Sequence, residues 1–213
     1  MAFYNIGWQY PDKKRAASDL AKLMRRICQK KTVHAFGISE VFNILEDDKH
    51  QLRQDIMNII LDELNADSAA QPVWIGKADV HYIFVWNTNV LTCLLYEVIS
   101  CGIEEQAERK AQYFQFVIRS QLWMALDGDT LHVIHNHSPS SDVRKLTVDR
   151  RKQICSTCWL HVANKSSDAQ PAVVFGGDVL LQKIIGNTVG QEVRRKFAEV
   201  DPWVATRATM PLP

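Results

Sequence analysis

Eight short apolar runs, each closed by polar or turn-forming residues, constrain this chain more than any other feature. They cover residues 2–6, 32–41, 73–76, 82–86, 90–95, 113–118, 130–134 and 172–175. Runs this short suit strands, and strands buried on both faces read as continuous apolar stretches. Between the first two runs, Ala16, Ala17, Leu20, Leu23, Met24 and Ile27 recur at spacings of three and four with Lys and Arg between them. That is the period of an amphipathic helix. A second helix is expected over roughly 48–65, with Leu52, Ile56, Ile59, Ile60 and Leu64 on one face. A third is expected near 144–162, where Leu146, Ile154, Cys158 and Leu160 are punctuated by basic residues. The Asn-rich residues between the fourth and fifth runs predict a hairpin turn. Asp127-Gly128-Asp129 predicts a turn before the seventh. Strand, helix, strand, helix, several strands, helix, strand mixes meander with crossover. The expected class is α/β, a two-sheet β-sandwich flanked by helices rather than one doubly wound sheet.

A chain of 213 residues is long enough for one full core and short for two, so residues 1–213 are read as a single domain. Hydrophobic residues make up 46% and charged residues 23%, which excludes disorder for the body of the chain. A net charge of +1 supplies no global attraction to nucleic acid or membrane, so a nucleic-acid partner would need a local basic surface. Lys13-Lys14-Arg15, Arg25-Arg26 with Lys30-Lys31, and Arg144-Lys145 with Arg150-Arg151-Lys152 are the candidate clusters. Solvated helix faces account for them equally well. No apolar run approaches the ~18 residues of a membrane span. The five cysteines, an odd number, follow no signal-peptide pattern, so free thiols in a reducing intracellular compartment, cytoplasm or nucleus, are expected.

Chemistry is best sought where strands end in side chains that an apolar core would not choose. Asn5 lies in the first run, Glu40 near the end of the second, and Asp178 just after the last, behind Gly176-Gly177. Carboxylate and amide oxygens from different strand ends suit a hard cation such as Mg²⁺. Such a cation stabilises charge on a phosphoryl oxygen. Taken singly, each is also an ordinary polar residue at a strand-to-loop junction. Of His132, His135 and His137, the last two share a strand face. One functional His at the strand end is expected, with the others on strand surfaces. Cys155-x-x-Cys158, with His161 following, lacks a second ligand pair for zinc and reads as buried thiols on one helix face. Trp123, Trp159 and Trp203 read as packing residues.

The order of these motifs resembles the endonuclease/exonuclease/phosphatase superfamily, the deoxyribonuclease-I-like fold. The resemblance rests on Tyr4-Asn5-Ile6-Gly7, the helix from Lys14 to Ile27, and Phe36-Gly37-Ile38-Ser39-Glu40. It continues with Leu131-His132-Val133-Ile134-His135-Asn136-His137, Arg150-x-x-Gln153, and Val173-Val174-Phe175-Gly176-Gly177-Asp178. It spans about residues 3–180.

The resemblance implies a divalent-metal-dependent phosphodiester hydrolase using Mg²⁺ or Mn²⁺, with an endonuclease acting on DNA or RNA as the expected activity. Glu40 would be a metal ligand, joined by Asn5 and Asp178 in the metal and phosphate pocket. His137 would act beside the scissile phosphate, and Asp178 would position the attacking water. The looser motifs are similar to those of retroelement-type endonuclease domains. Leu180 stands where the family has Asn, and no His follows Asp178, where the family has a late Asp-His pair. A domain lacking the family's C-terminal strands is therefore expected. The alternative is a catalytically inactive or fragmentary member serving as a binding or structural module.

Overall fold

The computed structural model describes residues 1–5, 12–30, 33–39, 50–67, 73–79, 82–101, 110–119, 129–136, 148–166 and 171–177. In chain order these form β1 (Ala2–Asn5), α1 (Lys13–Lys30), β2 (Ala35–Ser39), α2 (His50–Asn65), β3 (Trp74–Asp79) and β4 (Tyr82–Asn87). Then come β5 (Leu91–Ser100), β6 (Lys110–Ile118), β7 (Thr130–His135), α3 (Val148–Lys165) and β8 (Ala172–Gly176). Each apolar run is a strand, and each periodic segment is a helix.

The strands divide into two mixed four-stranded sheets, ordered β1-β2-β4-β3 and β5-β6-β7-β8. Among the described strands only β1/β2 and β7/β8 are parallel. Parallel neighbours need a crossover, and the chain supplies α1 for the first pair and α3 for the second. The sheets meet through Ala35, Phe84 and Trp86 on one side and Leu91, Phe114, Phe116 and Val133 on the other. The Phe84 and Phe114 rings stack at 4.5 Å at its centre. The outer face of the first sheet, Phe36, Ile38, Ile83 and Val85, is covered by α1 and α2 through Ala17, Met24, Ile56 and Ile60. α3 covers the second through Ile154, Cys158 and Val162. The result is a helix–sheet–sheet–helix sandwich.

Local chemistry sets the helix ends. The Asp12 carboxylate accepts from the Arg15 backbone N–H at 2.9 Å, capping α1. The Asn65 side chain closes α2 by bonding both Val73 and Trp74, which ties the helix end to β3.

Four expectations are corrected. The Asn-rich turn after β4 closes no hairpin: β4 and β5 lie in different sheets, and Asn87 to Val90 carries the chain between them. The true hairpin partner of β5 is β6, and β5 continues to Ser100 past an irregularity at Cys93/Leu95. Leu23 and Leu160 point to solvent, 45% and 60% exposed, because the core faces of α1 and α3 are narrower than the apolar pattern suggested. His132 and His135 are not on strand surfaces but fully buried. β7 is an inner strand with helix on one side and sheet on the other, so both its faces are interior. The helix expected near 144–162 runs on to Lys165; it is described from Val148, and residues 144–147 lie outside the described ones. The Asp127-Gly128 turn and the expectation of missing C-terminal strands fall on residues outside the described ones.

A candidate site at the parallel strand ends

The parallel pairs bring four strand ends to one end of the sandwich. Asn5, the last residue of β1, is level with Ser39, the last of β2. His135, the last of β7, is level with Gly176, the last of β8. A hydrogen bond of 3.0 Å between Ser39 Oγ and His135 Nε2 joins the two sheets at this end, with both side chains buried. Just beyond it the Asn136 backbone N–H donates to the Gly176 carbonyl at 3.0 Å, so the exits of β7 and β8 run side by side.

Glycine makes this convergence possible. A Cβ on Gly176 would lie 2.0 Å from the Phe3 ring, and one on Gly37 would lie 2.5 Å from it. Phe3 of one sheet thus rests against bare backbone of both. Gly177 has φ +118°, which L side chains rarely adopt, and a Cβ there would fall 1.8 Å from the Asn136 carbonyl. The His135 ring is enclosed by Phe3, Tyr82 and Phe84, with centroids at 5.5, 4.9 and 6.0 Å.

A chain of buried polar groups leads sideways from this point. His135 Nδ1 lies 3.2 Å from Gln112 Oε1 on β6, and Gln112 Nε2 donates to the Tyr96 hydroxyl on β5 at 3.4 Å. Tyr96 in turn donates to Asp79 Oδ2 on β3 at 2.9 Å. Burial, and then the Asp79 carboxylate, push the Tyr96 hydroxyl well above the ordinary phenol range. None of these partners is visible as a site in the sequence. Gln112 falls one residue ahead of the apolar run, and the sequence pattern places His135 on a strand surface. The signal that could have found them is polar side chains at core-facing positions of strands covered on both sides.

Of the sequence-derived site residues, Asn5 is described as the end of β1. Glu40, His137 and Asp178 lie outside the described residues. Each follows a described strand end by one or two positions: Ser39 of β2, His135 of β7 and Gly176 of β8 respectively. Among the described residues no group of three or more His, Cys, Asp or Glu is placed to hold a metal ion. The second candidate constellation resolves as thiol packing. All five cysteines are free, and Cys158 lies buried against Cys101 with the sulfurs 3.8 Å apart.

The basic clusters on α1 are partly committed elsewhere. Lys14 pairs with Asp55 at 3.0 Å, and Arg25 pairs with both Glu63 and Asp67 on the neighbouring helix and its end. Trp159 is half-buried on α3, while Trp123 and Trp203 lie outside the described residues. Among the described residues no helix is long and apolar enough to cross a membrane.

No family model and no curated protein matches the sequence. Solved structures do match the fold. An endonuclease/exonuclease/phosphatase family protein from Bacteroides thetaiotaomicron superposes with TM-score 0.53 at 10% identity, over 83% of this chain and 61% of that one. One from Leptotrichia buccalis C-1013-b gives 0.54 at 12% identity, over 90% and 69%. ANGEL2, described as a 2′,3′-cyclic phosphatase and solved with adenosine-2′,3′-vanadate, gives 0.51 at 8% identity, over 83% and 52%. The chain thus spans about half to two thirds of the length of these structures. At such identities the likeness is one of architecture, and two mixed four-stranded sheets between helices give this chain the fold of the endonuclease/exonuclease/phosphatase family.

Proposed function

We propose that the chain is a divergent member of that superfamily, one domain over residues 1–213, acting as a divalent-metal-dependent phosphodiester hydrolase on DNA or RNA. The observation that carries this reading is the convergence of four strand ends at the Ser39–His135 bond. The residues the family resemblance singles out all sit at, or one to two positions beyond, those ends. Asn5, Glu40 and Asp178 offer amide and carboxylate oxygens, the donor chemistry a hard cation such as Mg²⁺ or Mn²⁺ prefers. A bound cation would neutralise charge on the phosphoryl oxygens. In this reading Glu40 is the principal ligand, with Asn5 and Asp178 beside it. Asp178 orients the attacking water, and His137 donates a hydrogen bond or proton to the scissile phosphate. The nucleoside-bearing ligand of ANGEL2 supports nucleic acid as the substrate class. The resemblance of its looser motifs to those of retroelement-type endonuclease domains favours the same class.

Leu180 favours a second reading, an inactive member that binds without cleaving, because Leu can neither donate nor accept where the family has Asn. A Mg²⁺-dependent plasmid-nicking assay separates the two. Nicking by the parent chain that is lost in both Glu40→Ala and Asp178→Ala is the expected result. Nicking equal in all three and insensitive to chelator overturns the enzyme reading. Oligonucleotide binding without nicking moves the conclusion to the binding module.

A further inference from the structure

With the fully buried His135 ring neutral, the polar chain from Ser39 to Asp79 has only one consistent set of donors. Tyr96 faces a carboxylate, which accepts only, so its hydroxyl donates to Asp79 Oδ2 at 2.9 Å. The phenol oxygen is then an acceptor, and the Gln112 end facing it at 3.4 Å must be the amide NH₂. That orientation turns Gln112 Oε1 toward His135 Nδ1 at 3.2 Å, and a carbonyl oxygen only accepts, so Nδ1 carries the proton. The Nε2 of a neutral ring with Nδ1–H is an acceptor, and the Ser39 hydroxyl donates to it at 3.0 Å. Every step is dictated by the one beyond it, and the last is dictated by Asp79. Five strands contribute, drawn from both sheets. All the donors point the same way, so each bond polarises the next. The raised titration of Tyr96 agrees with a hydroxyl held protonated for this purpose.

We propose that Asp79, acting through Tyr96 and Gln112, holds His135 as the Nδ1–H tautomer and thereby fixes the Ser39 hydroxyl at the end of β2. Asp79, Tyr96 and Gln112 are then positioning residues for the strand end that leads directly into Glu40. Their effect on catalysis rests on the phosphodiesterase reading; the tautomer does not. Asp79 is half-exposed on β3, an edge strand of its sheet, and Lys77 lies 5.9 Å from the Tyr96 ring centroid. The tautomer of a fully buried histidine is thus set from the rim of the fold.

The test is long-range ¹H–¹⁵N correlation on the ¹⁵N-labelled full chain, with His135 assigned through the backbone. The expected pattern is a protonated, pyrrole-type Nδ1 and a pyridine-type Nε2. Tyr96→Phe removes the hydroxyl that orients Gln112, and the His135 pattern should become a mixture of tautomers. Ile60→Val, a core change in α2 within a cluster that contains no member of the chain, should leave it unaltered. Asp79→Ala gives the same readout as Tyr96→Phe and stands in for it should that variant not fold. A protonated Nε2 in the parent, or a His135 pattern unmoved by Tyr96→Phe, overturns the proposal. In the nicking assay Tyr96→Phe should lose about tenfold in metal-dependent rate, as changes behind a metal ligand do. An inactive parent would remove the phosphodiesterase reading and leave the tautomer to be decided by the spectra alone.

Discussion

Ser39 and His135 are separated by 96 residues in the chain and by the full gap between two sheets, yet their side chains meet at 3.0 Å. Both are buried, so neither has water as a substitute partner. Ser39→Ala would leave His135 Nε2 without its donor in a fully buried setting. The expected cost is about 1–3 kcal/mol of unfolding free energy, read as a lower urea midpoint with unchanged slope. A midpoint equal to the parent's would mean that the bond does not hold the sheets together.

The two glycines at the end of β8 make opposite predictions about rescue. Gly176→Ala drives a methyl into the Phe3 ring, an overpacking worth about 1–3 kcal/mol. Phe3→Ala opens that space at the cost of its own cavity. The double variant should therefore be more stable than the sum of the two losses, by at least about 1 kcal/mol in a mutant cycle. Gly177→Ala meets the Asn136 carbonyl and a positive φ, both backbone constraints. No side-chain change should rescue it. Chemical denaturation of the four variants checks both statements.

The elements were legible in the sequence because periodicity reports burial directly. The inner strands β2, β4, β6 and β7 are buried on both faces or nearly so, the edge strands β3 and β5 expose part of one face, and α1 and α2 each bury one stripe. The partition into sheets was not legible. Asn87-Thr88-Asn89 has the composition of a hairpin turn whether the next strand pairs with β4 or faces it. The outcome is decided at long range, where Phe84 and Trp86 find Phe114 and Phe116. The candidate site was legible as motifs but not as a network. A buried Ser39, His135 or Gln112 looks like any polar residue in a sequence, and only the covering layers turn it into an interior group that must be paired.

Alkaline titration should expose the interior of the second sheet. Burial, and then Glu97, raise the Tyr113 hydroxyl from 10.0 to about 12, and burial raises the Cys155 thiol from 9.0 to about 11. In both cases the folded state holds its proton more tightly than the unfolded state does. Between the two values the unfolded chain binds fewer protons, so stability falls as pH rises. The contribution is intact below about pH 9. It is lost as pH climbs through 9–11 for the thiol and through 10 to about 12 for the phenol. Tyr113→Phe forfeits the 2.8 Å bond to His132 Nδ1, about 1 kcal/mol at neutral pH, but should show a shallower alkaline decline. Urea midpoints across the alkaline range measure the slope directly.

Lys14 and Arg25 should matter little to nucleic-acid binding despite their place in the basic clusters. Both are engaged by carboxylates of the adjoining helix. Lys14→Ala and Arg25→Ala are expected to leave stability nearly unchanged, as losses of exposed surface pairs do. Oligonucleotide affinity and its salt slope should stay at parent values in fluorescence anisotropy. A fall in the slope by about one for either variant would place α1 on the binding face after all.

Metal removal separates a catalytic ion from a structural one. The described cores are built mainly of apolar side chains from eight strands and three helices, and among the described residues no group of three or more His, Cys, Asp or Glu is placed to hold a metal ion. Chelation should therefore abolish nicking while leaving the near-ultraviolet circular dichroism intact. Readdition of Mg²⁺ at ten times its dissociation constant should stabilise the fold by about 1.4 kcal/mol. For a chain of this size that is a rise in Tm of about 4 °C. The shift should vanish in Glu40→Ala, whose unliganded Tm should match that of the chelated parent. Loss of the folded spectrum on chelation would show that the ion holds the strand ends together, and Glu40 would then act in folding rather than in the chemistry.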